Sequence, residues 1–355
     1  MGGKLMSLPG DFQMNHLQYI VTLHQRFWRF LSMVGLLASY SAVMAQTLAG
    51  MSSVQKQLAQ ERFTIVAPFP PGGPVDTLSR FLADGLTQRY GQPAMVENLP
   101  GAAGNLGMDK VKRGKPDGHV LLVIPAGNLT INPTLMPNFP FNIERDFTPV
   151  TMLAKAPNVL VVSPQVKLRD LNDLLALARR QPDSLSYASP GVGSGLHLAG
   201  ELFKAQTQTE ILHVPYKGTG PALNDVLAGV VPVMFSNLPA TLPYIRSGKL
   251  IAMGVTDTVR SPVALEIPTL AEQGVAGVVV TSWYGLLAPA GMPAAIVEQL
   301  TRDAQDILSQ PIVLEKLQAQ GLQLTPMRSD DFANHMRKET ADWARVIRAR
   351  RITPD

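Results

Sequence analysis

Short apolar runs alternate with amphipathic segments along most of this chain, which is the pattern of strands followed by helices. Residues 63–67 (FTIVA) are apolar and rich in β-branched side chains, and they predict a buried strand. A turn dense in Pro and Gly at 68–74 ends the strand, and a helix with one apolar face follows it. The same order recurs at 186–203, so both halves of the chain share one plan.

The remaining predicted elements continue this alternation. Further strands are predicted at 93–98, 119–124, 158–163, 213–216, 231–235, 250–255, 278–280 and 282–287, and helices from about 108 and at 168–180, 221–228, 294–308, 311–320 and 329–350. Strands that alternate with helices imply parallel pairing with right-handed crossovers. We therefore predict an α/β fold with parallel-rich sheets flanked by helices.

Glycine-rich loops follow several of these strands. Three of them, at 68–76, 98–107 and 125–133, would gather at one sheet edge, because ligands and loops meet at the carboxyl ends of parallel strands. A strand-to-helix turn exposes backbone N–H groups at the positive end of a helix, which suits an anion. The alternative is a tight α/β turn without a ligand. The G-x-x-G-x-x-G run at 101–107 departs from the dinucleotide fingerprint, so no cofactor is expected.

The composition of the chain excludes several kinds of functional site. The chain has 355 residues, a net charge of +4 and no cysteine, which excludes disulfides, thiolate metal sites and a Cys nucleophile. Its basic residues are scattered without interleaved aromatic residues, so we expect no nucleic-acid partner. The six histidines show no metal-ligand spacing. The absence of thiols suits an oxidising compartment.

The N-terminal segment has the order of a secretory signal. Arg26 and Arg29 precede an apolar run at 30–43, and small residues allow a cut after Ala45. The run is short for a transmembrane helix, which needs about 20 residues, and an uncleaved anchor is the alternative. We predict that 1–45 is a signal peptide with an N-terminal extension, and that the mature protein is periplasmic.

The polar residues of the loops allow more than one interpretation. Ser194 and His197 are one helical turn apart, but Ser194 lies outside a G-x-S-x-G elbow, so a helix-start donor is favoured over a hydrolase nucleophile. Asp76 either binds a ligand amine or caps its helix. Lys217 is either a cleft cation or a solvated turn lysine, and Trp283 lines a cleft or packs in the core. Neutral donors without a catalytic set indicate a binding site for a small anion.

The order of motifs resembles the Bug family, the extracytoplasmic receptors of tripartite tricarboxylate transporters. The matching motifs are PFPPGGPVDTLSR (68–80), VENLPGAAGNLG (96–107), INP (131–133), SYASPGVGSGLHLAGELF (186–203), HVPYKGTGPALNDVLAG (213–229), FSNLPATLPYIRSGKL (235–250) and SWYGLLAPAG (282–291). The resemblance implies a two-lobed periplasmic binding protein of type II that closes like a flytrap over a carboxylated ligand. It implies no enzymatic activity, cofactor or metal.

The resemblance also implies where the ligand binds. Carboxylate contacts would come from backbone amides and hydroxyls of two loops, 69–73 and 189–194. The full set of expected ligand-binding residues is Phe69, Pro71, Gly72, Gly73, Asp76, Asn128, Thr130, Ser189, Gly191, Gly193, Ser194, His197, Tyr216, Ser236 and Trp283. Ser236 departs from the family, which often has an acid before the Asn of F-x-N-x-P, and this puts recognition of a ligand amine in doubt. Leu99 replaces a commonly charged residue.

The two lobes are expected to be discontinuous in sequence. Lobe 1 would comprise 61–157 and 281–355, and lobe 2 would comprise 158–280, with crossings near Asn158 and Thr281. The expected ligand is a mono- or dicarboxylate, an amino acid or an aromatic acid, and the expected partners are the permease subunits of the transporter. The protein is expected to be a monomer. A secreted serine hydrolase and a sensor that docks to a signalling receptor are the alternatives.

Overall fold

The computed structural model describes residues 51–182 and 184–354, so the predicted signal peptide at 1–45 lies outside the described residues. The strands are β1 Phe63–Ala67, β2 Ala94–Asn98, β3 Val120–Pro125, β4 Phe147–Ala156, β5 Asn158–Val162, β6 Ser186–Ser189, β7 Leu212–Pro215, β8 Val233–Asn237, β9 Ile251–Val255, β10 Ser282–Pro289 and β11 Gln323–Leu324. The α-helices are α1 Ser53–Leu58, α2 Pro74–Tyr90, α3 Asn105–Lys112, α4 Asn132–Leu135, α5 Ile143–Asp146, α6 Leu171–Arg180, α7 Gly195–Thr207, α8 Thr219–Leu227, α9 Leu238–Arg246, α10 Ala294–Leu308, α11 Pro311–Ala319 and α12 Ser329–Arg350. A π-helical turn spans Gly127–Ile131.

The strands form two sheets flanked by helices. The first sheet has the order β11-β4-β10-β3-β1-β2 and the second has the order β7-β6-β8-β5-β9. Strands β1, β2 and β3 pair in parallel, as do β6, β7 and β8. Strands β10 and β5, by contrast, pair antiparallel with both of their neighbours. Each sheet therefore joins a parallel part to antiparallel strands, because each sheet receives a strand that arrives from the other.

A short crossing joins the two sheets. Pro157 alone separates β4 from β5, and the return path reaches β10 at Ser282. The fully buried Asn158 stands at this crossing, where its Nδ2 donates to Val280 O at 2.8 Å. Its Oδ1 accepts from Ser282 Oγ at 2.9 Å and from Asn237 Nδ2 at 2.8 Å. The two crossing segments are thus bonded to each other, and the lobe boundaries at 157/158 and 280/281 stay a prediction.

The C-terminal helix α12 packs against both sheets. Near its start, Phe332 and Met336 belong to the apolar core of the first sheet. Near its end, Ile347 packs with Leu198 of α7, and Trp343 contacts both that cluster and the core of the second sheet. One continuous helix therefore contacts both sides of the crossing.

Several strands differ from the prediction, and the short β11 was also not predicted. Strand β4 at Phe147–Ala156 was not predicted, because Thr148, Pro149 and Lys155 interrupt its apolar run, yet it pairs with β10 along its length. Residues 278–280 were predicted as a strand but lie outside both sheets, where Val280 N–H bonds only to Thr256 O. Among the described residues, no helix is both long and apolar enough to cross a bilayer.

Candidate functional site

The loop after β1, residues 68–73, is braced by one carboxylate. Asp76 Oδ2 accepts the Gly72 N–H at 3.1 Å and Arg80 Nε at 3.0 Å. Asp76 Oδ1 accepts Arg80 Nη2 at 2.9 Å and Asn98 Nδ2 at 3.0 Å, and Asn98 also donates to Phe69 O at 3.2 Å. Both carboxylate oxygens are thus occupied within the protein. Asp76 therefore braces the loop, and its pairing with a ligand amine stays a prediction.

The electrostatics of Asp76 follow from this bonding. Burial by itself would raise the pKa of Asp76, but the hydrogen bonds from Arg80, Asn98 and the Gly72 N–H hold it below its ordinary value. The carboxylate is therefore charged at neutral pH. Gly72 and Gly73 face open space, since a Cβ built on either would meet no atom within 4 Å. Gly73 precedes α2, and its backbone stands at the positive end of that helix.

The loop after β6, residues 190–194, is held by hydroxyls and an imidazole. Ser189 Oγ accepts the Gly191 N–H at 3.1 Å, and Ser194 Oγ donates to Gly191 O at 2.7 Å. Ser194 also caps α7 by accepting the His197 N–H at 3.1 Å. The proton of Ser194 is thus committed to a backbone carbonyl, and the residue acts as a helix cap rather than as a nucleophile.

Two histidines and a tyrosine form a stack of rings, and the histidines hydrogen-bond to this second loop. His197 Nδ1 accepts the Gly193 N–H at 3.3 Å, so this nitrogen carries no proton. The His197 ring stacks on His213 at 4.3 Å between centroids, and His213 stacks on Tyr187 at 4.8 Å. His213 Nε2 lies 2.7 Å from Ser189 Oγ. The predicted site residues Ser189 and His197 are therefore buried supports of the loop.

The loops of the two sheets meet at glycines. A Cβ on Gly127 would overlap Gly193 O, and a Cβ on Gly193 would overlap Asn132 Oδ1. Gly193 also has a φ of +76°, which favours glycine. On the other side of the second loop, a Cβ on Gly191 would lie 2.9 Å from Tyr216 O. Only backbone fits at these contacts, and their close approach brings the β3 loop against the β6 loop.

Further contacts complete a ring of loops. A Cβ on Gly218 would lie 3.4 Å from Pro70, which links the β7 loop to the β1 loop. A Cβ on Gly104 would lie 2.9 Å from Asn128 Nδ2 and 3.4 Å from Phe69. Asn128 Nδ2 donates to Ala103 O at 2.7 Å. The loops after β1, β2, β3, β6 and β7 therefore adjoin one another, as the convergence of strand ends implies.

Three more predicted residues, Thr130, Ser236 and Tyr216, are buried or bonded to neighbouring residues. Thr130 is buried and donates to Ala126 O at 3.0 Å, inside the π-helical turn. Ser236 is fully buried in β8, and its Oγ has no partner among the described residues. Tyr216 donates its hydroxyl to Asp225 Oδ2 at 2.5 Å, and burial together with this bond raises the pKa of Tyr216 to about 12. Contact of these three side chains with a ligand stays a prediction.

Trp283 lines a cavity that adjoins the ring of loops, since Ala126, Gly127 and Gly195 border it as well. Its indole packs edge-on against Phe332 at 5.4 Å and donates Nε1–H to Glu339 Oε2 at 2.8 Å. Burial raises the pKa of Glu339 above its ordinary value despite that bond. The space is a cavity of about 430 Å³ that Lys155, Trp343 and the return segment at 279–282 also border. Sequence reasoning placed Trp283 in the cleft or the core, and the structure places it in a cavity beside the crossing.

Several residues of the ring were not predicted from the sequence. Asn98 and Arg80 donate hydrogen bonds to Asp76, and Gly127 and Asn132 contact the second loop. Asn98 and Asn132 lie within motifs that carry the family resemblance, so their positions in those motifs could have identified them as site residues. Among the described residues, no group of His, Asp or Glu is placed to hold a metal ion.

This fold is that of a two-lobed periplasmic binding protein. The chain belongs to the tripartite tricarboxylate transporter family of receptors, whose family profile matches residues 78–352. It is 34% identical to Protein BugT of Bordetella pertussis, over 90% of this chain and 97% of that protein. The family is one of receptors, and solved neighbours include the periplasmic binding protein BugD, so this chain is a binding protein and not an enzyme.

Solved structures agree with the family assignment. The structure of R. palustris Rpa4515 with adipate matches with a TM-score of 0.80 and 33% identity, covering 83% of this chain and 99% of that one. The structure of MatC from Rhodopseudomonas palustris with bound malate matches with a TM-score of 0.77 and 31% identity, covering 81% of this chain and 99% of that one. The predicted fold class and family resemblance are confirmed.

Proposed function

We propose that this protein captures a small carboxylate within the ring of loops and delivers it to the membrane subunits of a tripartite tricarboxylate-type transporter. The observation that carries the proposal is the placement of two glycine-rich strand-to-helix loops, 69–73 and 189–194, in one ring of contacts. Each loop leads into the positive end of a helix, α2 or α7. Amides at two helix starts suit the oxygens of a carboxylate.

The ligands of the relatives support the choice of carboxylate. Rpa4515 was solved with adipate and MatC with malate, and both proteins share this fold at more than 30% identity. Adipate and malate each carry two carboxylates. The Gly72 N–H is already donated to Asp76, so a ligand of the same chemistry would use other backbone donors at the start of α2, beside the open space at Gly72 and Gly73.

Capture would proceed by closure of two lobes about the crossing. In this proposal, lobe 1 comprises 61–157 and 281–355, and lobe 2 comprises 158–280. The glycine contacts between Gly127 and Gly193 are contacts across the lobes, so closure presses backbone against backbone there. Such an interface tolerates no side chain, and closure would bury the ligand's carboxylate between the two loops.

The cellular setting follows the predicted leader. Export through the segment at 1–45 would place the mature chain in the periplasm, where relatives such as the binding protein BugD are described. The mature protein would act as a monomer that docks to the permease in its closed form.

Isothermal titration calorimetry on residues 46–355, refolded once to remove retained ligand, tests this function. The panel comprises dicarboxylates, monocarboxylates, amino acids and aromatic acids, each paired with its amide. We expect at least one acid to bind with micromolar or tighter affinity and its amide to fail. If all acids fail while the refolded chain keeps its native circular dichroism and melting temperature, the carboxylate proposal is wrong.

Gly127→Ala provides the structural arm of this test. A methyl group there overlaps Gly193 O, so the variant should fold but lose most of its affinity. Gly220→Ala is the matched control, because a Cβ at Gly220 meets no atom within 4 Å. Equal binding by the two variants would show that closure at Gly127 does not contribute to capture.

A further inference from the structure

The loops of the ring contain a single charged side chain. The segments 68–73, 98–104, 125–132, 189–194 and 215–219 together hold no Asp, Glu, Arg or His, and one Lys, at position 217. The nearest acid of the first loop, Asp76, has both oxygens occupied by Arg80, Asn98 and Gly72. The ring therefore offers a free cation and no free carboxylate.

Lys217 stands where the two carboxylate loops approach each other. The residue before it, Tyr216, donates its N–H to Ser189 O at 3.1 Å, and its carbonyl lies against Gly191. The residue after it, Gly218, lies against Pro70 of the other loop. Both neighbours of Lys217 are thus in contact with a loop of the proposed site, one on each side.

The lysine has no partner of its own. Lys217 is exposed and forms no hydrogen bond or ion pair with any of the described residues. It also directly precedes Gly218, the N-cap of α8, where the helix dipole disfavours a cation. A bound anion would be attracted both to the ammonium group of Lys217 and to the positive end of α8.

We infer that Lys217 binds the second acidic group of a dicarboxylate whose first carboxylate is held by the loop amides. The inference rests on the proposed function and specifies its ligand class. The flexible side chain of a lysine can reach a second carboxylate in ligands of different length, whereas a rigid arginine guanidinium would fit fewer of them. The same cation, with no acid opposite, disfavours a ligand that carries an ammonium group.

Calorimetry with adipate and its monoamide tests this role directly. In the mature wild-type protein, adipate should bind at least about tenfold more tightly than the monoamide, because a charge-assisted hydrogen bond is lost in the monoamide. Lys217→Gln should weaken adipate about tenfold and leave the monoamide unchanged, and Lys217→Arg should keep much of the preference. Lys249→Gln, at another exposed lysine of the second half, should alter neither affinity.

The outcomes separate the inference from the proposed function. Equal weakening of both ligands in Lys217→Gln would show a structural role, and unchanged affinity for both would show a solvated lysine; either result overturns the inference. Failure of every acid in wild type would overturn the proposed function instead.

Two further measurements need no variant. Added salt should weaken adipate more than the monoamide, and succinate should bind more tightly than aspartate; the opposite result in either would also contradict the assignment.

Discussion

The two carboxylate loops have the same proposed task but are held by different chemistry. The loop at 69–73 depends on an ionised carboxylate, Asp76, which accepts hydrogen bonds from a guanidinium, an amide and a backbone N–H. The loop at 189–194 depends on neutral groups: Ser189, Ser194 and the Nδ1 of His197. Backbone donors at a helix start can therefore be fixed by either kind of support. The supports should respond differently to substitution and to acid.

The largest effect should come from a methyl group in the second loop. Gly193→Ala combines a positive φ, which costs about 1–2 kcal/mol, with an overlap on Asn132 Oδ1. We expect ligand affinity to fall about a hundredfold, which corresponds to about 2.7 kcal/mol. Gly72→Ala has the strain of φ +94° but no neighbour within 4 Å, so its affinity loss in the same calorimetric titration should be clearly smaller.

Removal of the charged support should have the next largest effect. Asp76→Ala leaves the Gly72 N–H and Asn98 without their acceptor, and a lost charged hydrogen bond costs about 1.5–3 kcal/mol. We expect affinity to fall about tenfold and to fall equally for succinate and aspartate, measured by calorimetry. A selective loss for aspartate would show instead that Asp76 pairs with a ligand amine.

Removal of one neutral support should cost less. Ser194→Ala removes the N-cap of α7, which is worth about 1 kcal/mol in the free energy of unfolding. Ser189 and His197 still hold Gly191 and Gly193, so affinity should fall only severalfold. Urea denaturation measures the first quantity and calorimetry the second. The same variant should leave any trace esterase signal unchanged, whereas its disappearance would revive the hydrolase alternative.

Acid provides the finest distinction between the loops. The pKa of Asp76 is lowered in the folded protein, so its stabilisation is present above the ordinary Asp range near 4 and is lost as the pH falls through the folded pKa. The difference in unfolding free energy between wild type and Asp76→Asn should therefore shrink below about pH 4. The difference between wild type and Ser194→Ala, followed by the same urea titrations, should stay constant over that range.

Sequence patterns predicted most elements because they lie in local runs. Helices α10 and α12 match the predicted 294–308 and 329–350, and β1 matches 63–67. Strand β4 was not predicted because its own residues form no continuous apolar run. It is a strand because it pairs with β10, some 130 residues away. The role of Asp76 was left open for a similar reason: occupancy of a carboxylate depends on partners such as Asn98 that only the fold brings near.

The candidate site was predictable to a similar degree. Strand-to-helix glycine loops are visible in sequence, and their gathering follows from parallel pairing within each sheet. The contact of Gly127 with Gly193 joins loops of different sheets, and no local pattern encodes it. Trp283 was ambiguous because an aromatic side chain suits a cleft and a core equally, and its neighbours Phe332 and Glu339 come from the far C-terminal helix.

The helix α12 has a practical consequence for following ligand capture in solution. The chain contains three tryptophans, and removal of the predicted leader would take away Trp28. The two that remain, Trp283 and Trp343, border the same cavity beside the crossing, where α12 contacts both sheets. Tryptophan fluorescence of the mature protein, excited selectively, should therefore come entirely from this one region. Its emission would report opening and closing without any attached dye.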